Sequence, residues 1–189
     1  MKIPFYGMKM SDSNQIILSE IDSRHCVKVL RYKVGDSVKV LDGRGHLYDC
    51  IISDDNLKQC TLKINNIDFE EKEKFSLHIV ISPPKNPDRI DWLIEKSVEM
   101  GASRISFVIS ERSIRNKIKI ERLERISIAA MKQSYSRYKL KIDEMVQLTS
   151  VFESINASQR LIPHIEEGER TLIHEILKPD QDTCILIGP

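Results

Sequence analysis

The hydrophobic rhythm of this chain changes character at one place, the charged run Asp68-Phe69-Glu70-Glu71-Lys72-Glu73-Lys74. Before the run, Val38 and Val40 flank Lys39, and Leu62 and Ile64 flank Lys63, the period of two that half-buried strands require. Gly35-Asp36, Asp42-Gly43-Arg44-Gly45 and Asp54-Asp55-Asn56 punctuate these strands with tight-turn residues. After the run, Leu77-His78-Ile79-Val80-Ile81 is nearly continuous apolar sequence, as in a strand covered on both faces, and a helical stretch from Ile90 to Met100 follows, closed by Gly101. Strands over Arg104 to Ile109, Leu161 to His164 and Cys184 to Ile187 alternate with a long helix from Ile120 to Tyr138 and a short one from Val151 to Ile155. The pattern predicts a β-rich domain over residues 1–70 and an α/β domain over residues 71–189.

A chain of 189 residues, 41% hydrophobic and 30% charged, is long enough to bury a core in each part. Lys and Arg number 29 against 28 Asp and Glu, a formal net charge of +1, so any nucleic-acid binding has to come from local clusters of charge. The cysteines Cys26, Cys50, Cys60 and Cys184 form no CxxC pair, which argues against zinc or thioredoxin-like chemistry and for small buried residues in a reducing cytoplasm. No signal-peptide pattern and no apolar run of bilayer length is evident, so a membrane partner is not expected. The histidines lack metal-ligand spacing, no glycine-rich phosphate loop occurs, and no Ser/His/Asp order is recognisable, which leaves hydrolase, kinase and Rossmann readings without support.

Basic residues nevertheless gather at definite places. In the β-rich part, around Asp22 to Leu30, the apolar residues Cys26, Val29 and Leu30 sit at helical spacing, which predicts a short helix and leaves Arg24, His25, Lys28 and Arg31 as a cluster on the helix and its exit. In the α/β part, Lys85 and Arg89 follow one strand in a proline-stiffened loop, and Arg112, Ser113 and Arg115 follow the next; topology places both loops at the carboxyl ends of strands, where open α/β sheets bind ligands. Along the long helix Ile126, Ala130, Gln133 and Arg137 form one stripe that turns from apolar to polar, either aimed at a phosphate or base edge or simply reaching solvent. Lys96 and Glu99 carry the same two readings, ligand-facing groups or a solvated helix face.

Several ordered blocks together resemble the small-subunit (16S) ribosomal RNA uridine-N3 methyltransferase family. The blocks are His25-Cys26-Val27-Lys28-Val29-Leu30-Arg31 with Gly35-Asp36 and Asp42-Gly43-Arg44-Gly45; Lys85 with Trp92-Leu93-Ile94-Glu95-Lys96 and Glu99-Met100-Gly101; Arg112-Ser113; Gln133-Ser134 with Arg137; and Ile187-Gly188-Pro189. The resemblance implies a small PUA-like β-barrel that recognises RNA, followed by a SPOUT-like α/β domain with a trefoil knot, S-adenosyl-L-methionine as methyl donor, and a homodimer. It implies Arg24, His25, Lys28, Arg31, Lys85, Arg89 and Arg112 at the RNA, Gln133 and Arg137 at the reacting base, and His164, Glu166, Gly188 and Pro189 at the donor. The sequence reaches only the opening of the family's Gly-Pro-Glu-Gly-Gly loop, so the knot is expected to be incomplete and the chain alone inactive. The alternatives are a catalytically silent RNA-binding protein without the knot, and a methyltransferase of the same superfamily with another RNA target.

Overall fold

The computed structural model describes residues 3–11, 13–163 and 171–188. Two compact units divide the chain: Met1–Lys72 with Ile128–Lys139, and Glu73–Ser127 with Leu140–Pro189. Residues 128–139, which the hydrophobic pattern places in the α/β domain, thus pack with the β-rich unit.

Five strands build the first unit: β1 (Phe5–Tyr6), β2 (Gln15–Ile17), β3 (Ser37–Leu41), β4 (His46–Asp54) and β5 (Thr61–Phe69), in the order β1-β3-β4-β5-β2. β1 pairs parallel to β3 and all other pairs are antiparallel. The period-two reading holds: Val38, Val40, Leu62 and Ile64 point into the core and Lys39 and Lys63 into solvent. The sheet curls until its two edge strands converge, because a Cβ on Gly7, just after β1, would stand 2.9 Å from Ile16 of β2. Only glycine allows that approach. Cys26, Cys50 and Cys60 are free thiols buried in this core, and burial pushes the Cys50 thiol up to about 12.

The expected short helix is present as α1 (Glu20–Arg24), capped by the Ser19 hydroxyl accepting from the Asp22 amide at 3.1 Å, and continued by a π-helical turn over His25–Val29. Ser23, on the buried side of α1, ties the helix to the segments that flank β2 and β5, donating to the Leu18 carbonyl (3.3 Å) and accepting from the Cys60 amide (2.9 Å).

The turn Asp42-Gly43-Arg44-Gly45 is organised by one buried carboxylate. Asp42 accepts from the backbone amides of Arg44 (2.7 Å) and His46 (3.2 Å) and from the Tyr48 hydroxyl (3.1 Å), and its other contact is His46 Nδ1 at 2.7 Å. The segment from Arg137 to Lys139 lies along this turn: Gly45 N donates to Arg137 O and Lys139 N to Gly43 O, both at 3.0 Å. Gly43 and Gly45 have φ of 72° and 104°. A Cβ on Gly45 would meet the Tyr138 hydroxyl at 2.6 Å, Phe69 at 2.7 Å and the Glu70 carbonyl at 2.8 Å, so strain and overlap add. Gly45→Ala is expected to cost about 2–4 kcal/mol in urea unfolding, whereas Gly35→Ala, with φ 95° but open space around it, should cost only about 1 kcal/mol.

A parallel sheet forms the second unit, with β6 (Leu77–Ile81), β7 (Arg104–Ile109), β8 (Lys141–Ile142), β10 (Gln159–Leu161) and β11 (Thr183–Ile187) in the order β10-β11-β6-β7-β8, and β9 (Val146–Gln147) beside β7. Helices α2 (Pro87–Glu99), α3 (Ile120–Ser134), α4 (Leu148–Val151) and α5 (Ile173–Ile176) connect the strands. α2 starts earlier than its apolar stripe because Asn86 caps it through the Asp88 amide (2.9 Å) and Pro87 occupies the first turn. β10 lies two residues before the expected strand, and β8, β9 and α5 are too short for periodicity to register.

At the amino-terminal end of this sheet a polar line runs across three strands. Arg104 Nε donates to Asp143 Oδ2 at 2.6 Å, Ser106 Oγ donates to the same oxygen, and His78 Nε2 lies 2.7 Å from Ser106 Oγ. With its own hydrogen committed to Asp143, Ser106 Oγ accepts from a protonated Nε2, which fixes the neutral tautomer of His78. Burial, aided by the Arg104 charge, lowers the His78 pKa to about 4. Burial alone would raise the Asp143 carboxyl, but the bonds from Ser106 and Arg104 and the charges of Arg104 and Lys141 hold it below the usual range. The unfolded chain therefore binds a proton at His78 near pH 6.5 that the folded chain refuses until about pH 4, and stability is full above that window and falls through it. Urea midpoints should drop by the equivalent of up to about 3 kcal/mol between pH 6.5 and 4, and His78→Gln should flatten that limb.

Candidate functional site

The carboxyl ends of β6, β7, β10 and β11 meet at one edge of the parallel sheet. β11 runs beside β6 in register from Thr183↔Leu77 to Ile187↔Ile81, and the Ser82 amide donates to the Ile187 carbonyl at 3.1 Å. Gly188 follows directly, with no atom of the described residues within 4 Å of where a Cβ would stand. On the other side of β11, Leu161 of β10 pairs with Ile185, and beyond them Ile162 and Ile187 are exposed.

Two loops rise from this edge, and one hydroxyl joins them. Ser113 Oγ sits 2.7 Å from the buried Ser82 Oγ, accepts from the Ser110 amide at 2.7 Å and lies 3.1 Å from Ser110 Oγ. Arg115 completes the joint by donating to the Lys85 carbonyl at 2.8 Å. The loops that topology places at one edge are therefore fastened together, and the serine of Arg112-Ser113 is the fastener. Lys85, Arg89 and Arg112 themselves reach solvent.

Beside the joint lies a cleft of about 710 Å³ lined by Pro87, Asp91, Arg115, Lys117, Lys119 and Arg122. A smaller cleft lined by Lys85, Arg115, Asn116 and Lys117 shares two of these residues, so a basic groove runs from the β6 loop towards the start of α3. Asp91 neutralises Arg122 at 2.5 Å, leaving Arg115, Lys117 and Lys119 as its excess charge. Arg115 Nε is buried with no hydrogen-bond partner among the described residues, as is Asp91 Oδ1 in the same cleft. Lys117, Lys119 and Arg122 were not singled out by motif; the density of cations between Arg112 and Arg122 was the available signal. Among the described residues no group of three His, Cys, Asp or Glu could hold a metal ion.

The remaining candidates divide. Arg24, His25, Lys28 and Arg31 all reach solvent on the first unit, but Arg24 is paired to Glu20 at 2.8 Å, and the His25 ring packs edge-on to Phe5 at 6.4 Å. Gln133 and Arg137 do not share a helix face. α3 ends at Ser134, whose hydroxyl donates to the Ala130 carbonyl (2.9 Å), and Tyr135 turns left-handed at φ 59°. Beyond that turn the Arg137 guanidinium donates to the Asp68 carbonyl (3.1 Å) and carboxylate (2.6 Å), 3.9 Å from Glu70. Lys96 and Glu99 pair with each other at 2.6 Å on the surface of α2. His164, Glu166 and Pro189 lie outside the described residues.

The fold and the site define a two-part protein, a parallel α/β unit with fastened basic loops at the carboxyl ends of its strands joined to a small curled β-unit. Comparison with known families makes this specific: residues 71–189 match the RNA methyltransferase domain, and residues 18–65 match the RNA methyltransferase PUA domain. The chain belongs to this RNA methyltransferase family, with a PUA-type first unit and a SPOUT-type α/β second unit. A ribosomal RNA small subunit methyltransferase E 2 from Borreliella burgdorferi is 33% identical over 128 residues, 63% of this chain and 51% of that protein, so the match spans about half the relative's length. A probable rRNA methyltransferase from Porphyromonas gingivalis superposes with a TM-score of 0.89 at 33% identity, covering 100% of this chain and 80% of the other. A ribosomal RNA small subunit methyltransferase E from Neisseria gonorrhoeae, solved with S-adenosyl methionine, shares the fold at a TM-score of 0.84 and 22% identity, again over 100% and 80%.

Removing the fastener tests the joint. Ser113→Ala should cost about 1–2 kcal/mol, and the loop between Arg112 and Lys119 should be cut by trypsin several-fold faster than in the wild type while the β-unit keeps its resistance.

Proposed function

We propose that the activity this chain carries is transfer of a methyl group from S-adenosylmethionine to N3 of a uridine in 16S ribosomal RNA of the small subunit. The observation that carries the reading is the pair of fastened basic loops beside the open carboxyl ends of β11 and β10.

The described part of that edge fits the donor. Among the described residues no atom stands within 4 Å of where a Cβ on Gly188 would be, and the exposed Ile162 and Ile187 offer the apolar walls that an adenine ring requires. When bound, the donor supplies an activated methyl group. The protein's share is to hold the base in line, exclude water and favour the deprotonated N3, which positive charge does electrostatically. N3 lies on the Watson–Crick edge, so the uridine reacts only when unpaired or flipped out. Lys85, Arg89, Arg112, Arg115, Lys117 and Lys119 are assigned to RNA phosphates, with the unpartnered Arg115 Nε as one donor. Arg24, His25, Lys28 and Arg31 supply the contacts of the PUA-type unit.

Gln133 stays exposed at the end of α3 and is assigned to the substrate side. Arg137, engaged by Asp68, is assigned as a positioning residue for the segment that follows α3. Exposed Leu172, Ile173, Ile176 and Leu177 on and around α5 give an apolar surface suited to a second copy of the chain, and a homodimer is part of this reading. Among the described residues no helix is long and apolar enough to cross a membrane. A ribosomal substrate makes the cytoplasm the compartment of this activity.

Mass spectrometry of 16S ribosomal RNA from cells with and without the gene tests the reaction: N3-methyluridine should disappear from one position, and its persistence would overturn the assignment. For the groove, Lys117→Ala with Lys119→Ala should weaken binding of unmodified small-subunit RNA and reduce the slope of log affinity against log salt by about two, one for each cation removed.

A further inference from the structure

One acid stands in the basic groove, and phosphate cannot meet it. Asp91 belongs to α2, and its Oδ2 pairs with Arg122 of α3 at 2.5 Å. Its Oδ1 is buried without a hydrogen-bond partner among the described residues. A carboxylate oxygen only accepts, and so do the oxygens of an ionised phosphodiester, so the arrival of phosphate leaves Oδ1 unmet. An unmet acceptor is a standing cost to the fold, which a donor brought by a ligand removes. The acid also cancels the charge of Arg122, and a groove that served phosphates alone would attract them more strongly without it.

The walls of the cleft decide which donor fits. Pro87, Ile90, Ile118 and Leu123 supply its apolar part, and no aromatic ring is among its lining residues. Recognition of an unpaired base combines edge contacts with stacking on an aromatic face, so a base finds no platform here. The backbone of RNA carries one donor of its own, the 2′-hydroxyl, on the ribose carbon next to the one that bears the 3′-phosphate. A single nucleotide therefore presents a hydroxyl to Asp91 and a phosphate to the cations Arg115, Lys117 and Lys119 of the same cleft. The Asp91 side chain keeps 20% of its surface exposed, so Oδ1 lies just under the wall, and rotation of the carboxylate about its soft terminal torsion turns it to the opening. We propose that the cleft lined by the first turns of α2 and α3 recognises ribose, with the 2′-hydroxyl of the substrate RNA donating to Asp91 Oδ1 and the adjoining phosphate held by the cations. The inference rests on the RNA reading above and adds to it the means by which the groove tells RNA from DNA.

Fluorescein-labelled octa-uridylate, its 2′-deoxy form and its 2′-O-methyl form share base and phosphates and differ only at this hydroxyl. Their binding to the 189-residue chain is measured by anisotropy at low salt, beside binding of a small-subunit RNA fragment and the thermal midpoint of each variant. The wild type should bind octa-uridylate about fivefold more tightly than the deoxy form, and the 2′-O-methyl form, which cannot donate, should bind no better than the deoxy form. In Asp91→Asn, which is nearly isosteric, the amide oxygen is needed at Arg122 and the amide NH2 takes the place of Oδ1, a donor where an acceptor stood. This variant should bring the ratio of RNA to DNA affinity close to one while raising both, because the groove loses a negative charge. Asp91→Glu keeps the charge and displaces the acceptor, so it should lower the ratio with no gain for the deoxy form. The conclusion is read from whichever variant keeps the wild-type midpoint; unfolding of both would make Asp91 an element of the fold alone and overturn the proposal. Equal binding of the three oligonucleotides by the wild type, or a preference for RNA that survives both substitutions, would overturn the ribose site while binding of the small-subunit fragment leaves the RNA reading standing. A preference seen with uridylate and lost with octa-adenylate and its deoxy form would move recognition to the base and overturn it too. Failure of the wild type to bind octa-uridylate and the fragment alike would overturn the RNA reading and this inference with it.

Discussion

The buried carboxylate of Asp42 is the interaction on which most of the first unit depends. Two backbone amides, a tyrosine hydroxyl and an imidazole converge on it, and a carboxylate taken out of water is tolerable only when its oxygens are satisfied in this way. Burial, together with this negative charge, pushes the Tyr48 hydroxyl up to about 12, so this partner remains a donor throughout the physiological range. By fixing the turn, Asp42 presents Gly43 and Gly45 as a surface without side chains, and residues 137–139 occupy it through two backbone hydrogen bonds. Asp68 then holds Arg137, and the Tyr138 hydroxyl reaches the Glu70 carbonyl at 2.7 Å. The family-like blocks Asp42-Gly43-Arg44-Gly45 and Gln133-Ser134 with Arg137 are thus two sides of one interaction.

That interaction decides where α3 stops. A helix continued to Tyr138 would carry Arg137 round its own axis and away from Asp68. Ending at Ser134 instead, with the Ser134 hydroxyl bonded to the Ala130 carbonyl, lets the chain turn at Tyr135 and run extended along the glycines. In the second unit the corresponding constraint is the register of β11 beside β6, which brings the Ile187 carbonyl to the Ser82 amide and so places the β6 loop next to Gly188. Ser113 transmits this placement to the β7 loop. The edge is built mainly from backbone and hydroxyl contacts, leaving its long cations available to meet another molecule.

Patterns that repeat were legible in the sequence, and single long-range contacts were not. Alternation at Val38 to Val40 and Leu62 to Ile64, and the continuous apolar run of β6, announced the strands because burial on one or both faces is written in period. The two basic loops at one sheet edge followed from topology. The end of α3 did not, because Gln133, Ser134 and Arg137 continue a helical stripe on paper and only the partners Asp68 and Gly43, distant in sequence, break it. For the same reason residues 128–139 read as part of the second domain although they pack with the first unit. The left-handed turn at Tyr135 gave no signal at all, since such backbone on a tyrosine cannot be inferred from composition.

Charge distribution reconciles a net charge of +1 with a locally positive surface. Arg24, Arg104, Arg122 and Arg137 each face a carboxylate, on Glu20, Asp143, Asp91 and Asp68 respectively, at 2.5 to 2.8 Å. These forks are spent on fixing helix, strand and loop positions, a use for which planar bidentate geometry suits arginine. The exposed pairs contribute little stability individually, but each also removes an acid from the field that an approaching phosphate feels. The cations of the sheet-edge groove are arranged the other way, with Arg115, Lys117 and Lys119 gathered around a cleft whose one acid, Asp91, is already matched by Arg122. Near-neutrality of the whole chain is therefore compatible with a locally positive groove. The Debye length of about 8 Å at physiological salt makes that local excess, rather than the total, the quantity that any approaching charged group would feel.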